Sequence, residues 1–251
     1  MTTTDDKNVL AWARKVQAIA QTGIAFTHDA YDRERYLQLQ ELVAAIISSE
    51  LDIPLGRAKA LWDKEDGYAT PKVDVRGAAF DGDKVLLVRE RSDGKWTLPG
   101  GWVDVNDAPS EAVVREIFEE SGYHAKALKL AALVDKNRHP HPPSVHHIYK
   151  LFFLCELTGG TATISDETDA VEFFSVHSLP ELSTGRTLAS QIARMYEHQL
   201  NRDLPTDFDR SCAYAHPTIL PRTRQRERDR GGVRALQRRV PGHHTAGAGA
   251  F

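Results

Sequence analysis

The pattern of apolar residues changes character at Pro71, and that switch restricts the chain to folds that join a helical segment to a sheet. Before it, Leu10, Trp12, Val16, Ile19, Ala20 and Phe26 fall along one face of a first helix, interrupted near Gly23. Tyr36, Leu39, Leu42, Val43, Ile46 and Ile47 form a clearer stripe that predicts a helix over about 32–50. A third, short helix follows Pro54, a good first-turn residue, with Ala58, Ala60, Leu61 and Trp62 available for packing. After the switch, KVDVRGAAF and KVLLVRE are β-rich runs joined by Asp81-Gly82-Asp83, a hairpin signal. A second turn at Ser92-Asp93-Gly94-Lys95 leads into WTLPGGWVDV. A helix then starts near Asp107, placed to N-cap it, with Pro109 in the first turn and Gly122 as its stop. Strands are expected around 127–134, 147–157 and 171–176, and a last helix over 187–198 turns Leu188, Ile192, Met195 and Tyr196 toward a core. The whole is a mixed α/β fold with helices packed on a sheet, preceded by a small helical N-terminal domain.

Charge and composition exclude several functions. The apolar runs reach at most six residues (Leu42 to Ile47), far short of the roughly 20 that a transmembrane helix needs. MTTTDDKNVL has neither the basic nor the apolar region of a secretory signal, and Cys155 and Cys212 are too few for a disulfide scaffold. The expected setting is soluble, reducing and cytoplasmic. The net charge of −3 conceals a split: Arg210 to Phe251 hold nine Arg against Glu227 and Asp229, a balance of +7, which leaves −10 for residues 1 to 209. An acidic body does not suit a nucleic-acid backbone binder, but it suits a protein that gathers divalent cations. The helical segment has eight basic against eleven acidic residues over positions 1 to 70, so packing against a second copy is favoured over reading DNA. The Lys-free basic tail could be an RNA-binding or membrane-touching arm; it is read as a disordered extension, reaching past a natural stop, and is assigned no function.

The chemistry concentrates in one helix. On it Glu116, Glu119 and Glu120 stand at i, i+3 and i+4, so three carboxylates crowd one face. Each like-charge neighbour costs an isolated helix about 0.2–0.5 kcal/mol. Arg115 can reach Glu119 and Glu111, but one cation does not neutralise the group. A hard divalent ion does, and oxygen-only ligands select magnesium or manganese over zinc. Acidic clusters on helices are mostly solvated faces; the Gly100-Gly101 turn, which lets backbone approach closely, and the stop at Gly122 set this one apart.

The spacing G-x5-D-x7-R-E-I-x-E-E-x-G-Y from Gly101 to Tyr123 resembles the Nudix hydrolase signature, with Asp107 in place of its first glutamate and Tyr123 in its last apolar position. Residues 5 to 209 are similar to the branch with an N-terminal helical dimerisation segment, the CDP-choline and ADP-ribose pyrophosphatases. The likeness rests on Tyr31-Asp32-Arg33-Glu34-Arg35-Tyr36, on LPGGW followed by VDV, and on the run from Asp135 to Pro143. The resemblance implies an α/β/α sandwich with a mixed sheet over 69–205 and a dimerisation domain over 1–68, which leaves the basic tail over 206–251 outside both. It further implies metal-dependent cleavage of nucleoside diphosphates linked to a moiety X, through Mg2+ or Mn2+ bound by Glu116, Glu119, Glu120 and the Gly100 carbonyl.

Within that implied reaction Arg115 orients Glu119, and the general base is Glu167, in the loop ISDETDA, or Glu119 itself. Arg138, His139 and His141 offer donors to the phosphates or to X, while prolines between the histidines argue against zinc there. Trp96, Trp102 and Phe80 could stack a base, although aromatics flanking a sheet are more often core. Two rival readings stand: a non-catalytic nucleotide-binding regulator, which would ordinarily have lost the carboxylates, and an enzyme acting on modified nucleotides or RNA caps.

Overall fold

In the computed structural model, which describes residues 6–210 apart from Lys64, three helices come first: α1 (Asp6–Phe26), α2 (Ala30–Glu50) and the short α3 (Leu55–Ala60). Asp29 caps α2, its carboxylate accepting the Asp32 N–H at 2.8 Å. Leu10, Ala13, Val43, Ala44, Ile47 and Ala58 fill the core between the helices. Gly23 does not interrupt α1. A Cβ there would lie 2.4 Å from Cζ of Tyr36, so this glycine admits an aromatic ring from α2. The stripe read as one buried face is in fact two: Leu10 and Ala20 turn inward, while Trp12, Ile19 and Phe26, seven residues apart, are exposed along another line of the helix. On α2, Val43 and Ile47 are buried and Leu42 and Ile46 are exposed. Pro54 is the N-cap of α3 rather than a first-turn residue.

The remaining elements are β1 (Lys72–Asp81), β2 (Lys84–Glu90), β3 (Trp96–Thr97), α4 (Pro109–Ser121), β4 (Tyr123–Asp135), a 3-10 turn (Lys136–Arg138), β5 (Ile148–Gly160), β6 (Thr168–Ser175), α5 (Ala189–Leu200) and β7 (Asp207–Phe208). Their order in the mixed sheet is β3-β2-β1-β5-β4-β7, with β6 also paired to β2. β1 runs parallel to β5, from Lys72 opposite Ile148 to Ala79 opposite Cys155, and β4 runs antiparallel to β5. The β1–β2 hairpin turns at Gly82 (φ 60°), as its sequence predicts. On one face α4 packs Ala112, Val113 and Ile117 against Val75, Ala79, Leu86 and Phe153. On the other α5 packs Ile192 and Met195 against Ala78, Leu87, Leu98 and Phe152. This is the expected α/β/α sandwich. Gly77 lets α4 close down on β1, since a Cβ there would stand 2.6 Å from Ile117 Cδ1.

Some expected boundaries move. Ala108, not Asp107, is the N-cap of α4, and no side chain caps that helix. The body also extends past 205: β7 pairs in parallel with Ala132 and Leu133, and Arg194 binds Asp207 at 2.5 Å. Those bonds hold residues that composition had assigned to the tail, whose remainder, with Cys212, lies outside the described residues. Among the described residues no helix is long and apolar enough to cross a membrane.

Candidate active site

Residues 99 to 103 run along the edge of β1. Gly77 N–H donates to Pro99 O and Val75 N–H to Gly101 O, both at 2.9 Å, and Val103 N–H donates to Val73 O at 3.1 Å. A Cβ would meet an obstacle at both glycines, fixed backbone at one and a movable side-chain end at the other. Gly100 has φ 143°, and a Cβ there would fall 2.0 Å from the Val75 carbonyl oxygen. At Gly101 the obstacle is Glu116, whose Oε2 would lie 2.8 Å from a Cβ. Gly122, left-handed at φ 75°, ends α4 directly beyond the acids.

The three α4 carboxylates occupy different surroundings. Glu120 is 4% exposed and accepts the Gly100 N–H at 2.8 Å. Arg115 Nη1 lies 3.0 Å from Glu116 and 2.8 Å from Glu119, while its Nη2 lies 3.5 Å from Asp107 and 3.8 Å from Asp104. Arg115 therefore gathers the loop acids and two helix acids, and Glu111 is not among its partners. Asp107 serves this ion pair in place of a cap.

Burial pushes the Glu120 carboxyl up to about 8; Arg76 and the Gly100 N–H oppose the shift, and Glu90 and Glu116 add to it. Burial likewise raises Glu116, with Arg115 opposing and with Glu119 and Glu167 adding. Glu90, at the end of β2, is raised by burial against the pull of Arg186, which pairs with it at 2.9 Å. Glu167 is exposed on the loop before β6, where its charge acts on both Glu90 and Glu116. Mutually opposed carboxylates around a turn without side chains are an oxygen-donor set suited to a hard divalent cation. Among the described residues no three His, Cys, Asp or Glu side chains converge as a preformed cage. Glu120 is turned to Gly100, and Glu116 and Glu119 to Arg115.

The donors expected from the His-rich loop are engaged within the protein. His139 Nε2 lies 3.1 Å from Asp209, and Arg138 Nη1 donates to the Arg210 carbonyl at 3.4 Å. His141 Nδ1 donates to Thr184 O at 2.7 Å, and its Nε2 accepts from Gln191 Nε2 at 3.0 Å. Burial pushes this imidazole down to about 4, against the Thr184 bond, so it stays neutral. Phe80 and Trp96 pack against the α5-side core, and Trp102 is half-exposed beyond the glycine turn.

Sequence reasoning missed the buried charges beneath the site. Asp74 accepts from Arg76 at 3.1 and 2.8 Å and from Lys150 at 2.5 Å. Burial works against the Arg76 charge, but Asp74 holds its pKa above the ordinary arginine value. The available signal was charged residues in strands that are otherwise apolar: Asp74 and Arg76 on alternate positions before Ala78 and Phe80, and Lys150 inside YKLFFLC.

Residues 70–196 match the NUDIX domain, and residues 7–62 match the UDP-X-like, N-terminal oligomerisation domain. A Bacillus subtilis protein provisionally named an ADP-ribose pyrophosphatase is 44% identical over 199 residues, covering 78% of this chain and 95% of that protein. The crystal structure of an ADP-ribose pyrophosphatase from Streptococcus suis is 41% identical with a TM-score of 0.52, over 56% of this chain and 100% of that one. That of a UDP-X diphosphatase is 30% identical with a TM-score of 0.53, over 81% and 99%. With its carboxylate helix, glycine turn and N-terminal helices in place, the chain belongs to the Nudix hydrolases, in the branch that carries the UDP-X-like oligomerisation domain.

Proposed function

We propose that this enzyme is a Mg2+- or Mn2+-dependent pyrophosphohydrolase of nucleoside diphosphates linked to X, in the ADP-ribose or CDP-choline class. The observation that carries the reading is the pairing of a carboxylate-crowded helix face with a bare glycine turn: Glu120 on the Gly100 N–H, and Glu116 against the empty Cβ position of Gly101. Glu116, Glu119, Glu120 and the Gly100 carbonyl would hold the cation. When bound, the ion supplies the positive charge that offsets a diphosphate and makes an attacking water more acidic. Arg115 holds Glu116 and Glu119 at 3.0 and 2.8 Å, and these acids would have to exchange that pairing for the cation to take part in holding it. Glu167 is the proposed base: it accepts no side-chain hydrogen bond among the described residues, whereas Arg115 already engages Glu119. Arg138, His139 and His141 would bind the phosphates or X only after their ring or guanidinium groups leave these protein partners.

The exposed Trp12, Ile19 and Phe26 of α1, with Leu42 and Ile46 of α2, give the N-terminal segment an apolar outer surface suited to a homodimer in a cytoplasmic setting. The test of activity is a panel of ADP-ribose, CDP-choline and NADH with Mg2+, the products identified by mass. The expected products are a nucleoside monophosphate and phosphorylated X. Nucleotide binding with no cleavage across the panel would replace this reading with that of a regulator.

A further inference from the structure

A polar group on the inner face of α1 has nothing to bind. Leu10, Ala13, Gln17 and Ala20 follow the buried line of that helix, and Gln17 is only 3% exposed. Its amide nitrogen and oxygen are both shielded from water, and neither has a hydrogen-bond partner among the described residues. Gln17 stands between two ties that hold α1 to the segments around it. One turn before it, Arg14 Nη1 donates to Ser144 O at 2.5 Å. One turn after it, Gln21 Nε2 donates to Gly67 O at 3.3 Å, and the Ala69 N–H donates to Thr22 Oγ1 at 3.4 Å. Between the ties lies a cavity of about 590 Å3, with Arg14, Gln17 and Gln21 all in its wall. That volume is in the range of small-molecule sites. Burying an amide with both ends unmet is unfavourable, so the residue is retained at a cost unless a ligand meets it.

The wall says what kind of ligand. Lys72 in it pairs with Glu65 at 2.6 Å, and Asp135 lies 3.1 Å from His147 and accepts from Asn137 at 3.3 Å. The unmet group is neutral and presents a donor and an acceptor side by side, which complements the edge of a nucleobase. Trp62 and Tyr68, also in the wall, offer flat apolar faces to a ring. We propose that this cavity binds a nucleobase, whose donor–acceptor edge takes both hydrogen bonds of the Gln17 carboxamide as that side chain turns about its own torsions. The choice of a base over other flat amide-like groups rests on the pyrophosphohydrolase reading above. Two sources carry such a base, the substrate itself and a separate nucleotide. The backbone favours the first: Lys72, in the wall, precedes Val73 and Val75, whose carbonyl and N–H bond to Val103 and Gly101. The Lys72 end of the cavity is thus about 10 Å along β1 from the glycine turn, a distance that a nucleoside diphosphate can span.

The test measures binding of AMP, CMP and ribose 5-phosphate to the full chain, in wild type and in Q17L. Two neutral hydrogen bonds correspond to about a tenfold change in affinity. Q17L should weaken the preferred nucleotide by about that factor and leave ribose 5-phosphate, which has no base, unchanged. Without ligand, Q17L should melt at the wild-type temperature or above it, because it removes two unmet polar atoms and keeps the volume of the side chain. Steady-state kinetics on ADP-ribose and CDP-choline separate the sources. If the base is the substrate's, the loss in Q17L falls on KM more than on kcat and the nucleotide inhibits competitively. If it belongs to a separate nucleotide, KM is unchanged although nucleotide binding is weakened; both results support a base site in the cavity. Equal nucleotide affinity in wild type and Q17L, or no nucleotide binding at all, would overturn it, and cleavage of either substrate by wild type would leave the enzyme reading intact. A ligand-free Q17L that melts well below wild type would also overturn it, marking Gln17 as structural. Binding that depends on Gln17 without cleavage of either substrate would instead keep the base site and overturn the pyrophosphohydrolase reading.

Discussion

Replacing Gly101 with alanine separates the geometry of the site from the stability of the fold. The added Cβ would stand 2.8 Å from Glu116 Oε2, 3.1 Å from its Cδ and 3.3 Å from Oε1. An ordinary contact is about 3.4 Å, so the carboxylate must retreat by about 0.6 Å, which a flexible glutamate can do cheaply. Misplacing a reacting group by 1 Å costs roughly a hundredfold in rate, so a shift of about 0.6 Å is expected to lower kcat about tenfold, or about 1.4 kcal/mol in the barrier. Gly101 lacks the positive φ of Gly100, so stability should hold or rise by about 0.4–1 kcal/mol through the stiffer unfolded chain. The assay is kcat on ADP-ribose at saturating Mg2+, with a melting curve on the same sample. A full wild-type kcat would refute the placement of Glu116 as a metal-holding group. A collapse in melting temperature would refute the claim that only a side-chain end is displaced. Gly100→Ala is the contrast: with φ 143° and a backbone carbonyl 2.0 Å from the new Cβ, it should damage the fold itself.

Other predictions follow from the same geometry. Glu120 is raised to about 8 in the metal-free protein, so its folded form holds a proton that the unfolded chain releases near 4.5. Its contribution is thus fully present below about 4.5 and is lost as pH rises toward 8. Melting in EDTA should fall across that window, and E120Q, which keeps an oxygen for the Gly100 N–H, should flatten the fall. Gly77→Ala would drive a methyl to 2.6 Å from Ile117 Cδ1; an expected loss of about 1–3 kcal/mol can be read by urea denaturation, and I117V should recover part of it. Charging the outer face of α1 with Ile19→Glu and Phe26→Glu should shift sedimentation toward a monomer while melting stays close to wild type; an unchanged oligomer would place the interface elsewhere.

What could be read from sequence followed from periodicity and from residues with a single backbone use. Gly82 turned the hairpin, Gly122 ended α4, and the i, i+3, i+4 acids came to one face because helical spacing alone puts them there. Periodicity failed wherever the decisive fact was tertiary. Gly23 resembles a helix breaker until Tyr36 is known to fill the space beside it, and the two apolar lines of α1 cannot be assigned inside or outside before α2 is placed. Asp107 suits a cap, yet Arg115 reaches it from the helix. Lone charges within strands, such as Asp74, Arg76, Glu90 and Lys150, carry no periodic signal, and only the neighbouring strand and loop showed them to be buried and paired.

The account turns on a divalent ion entering between the α4 carboxylates and displacing the proton on Glu120. Calorimetric titration of the metal-free protein with Mg2+ near pH 7, in two buffers of different ionisation enthalpy, measures that exchange directly. Ion binding with proton release that disappears in E120Q is the predicted result. No binding of Mg2+ or Mn2+, or binding with the same proton release in E120Q, would contradict it.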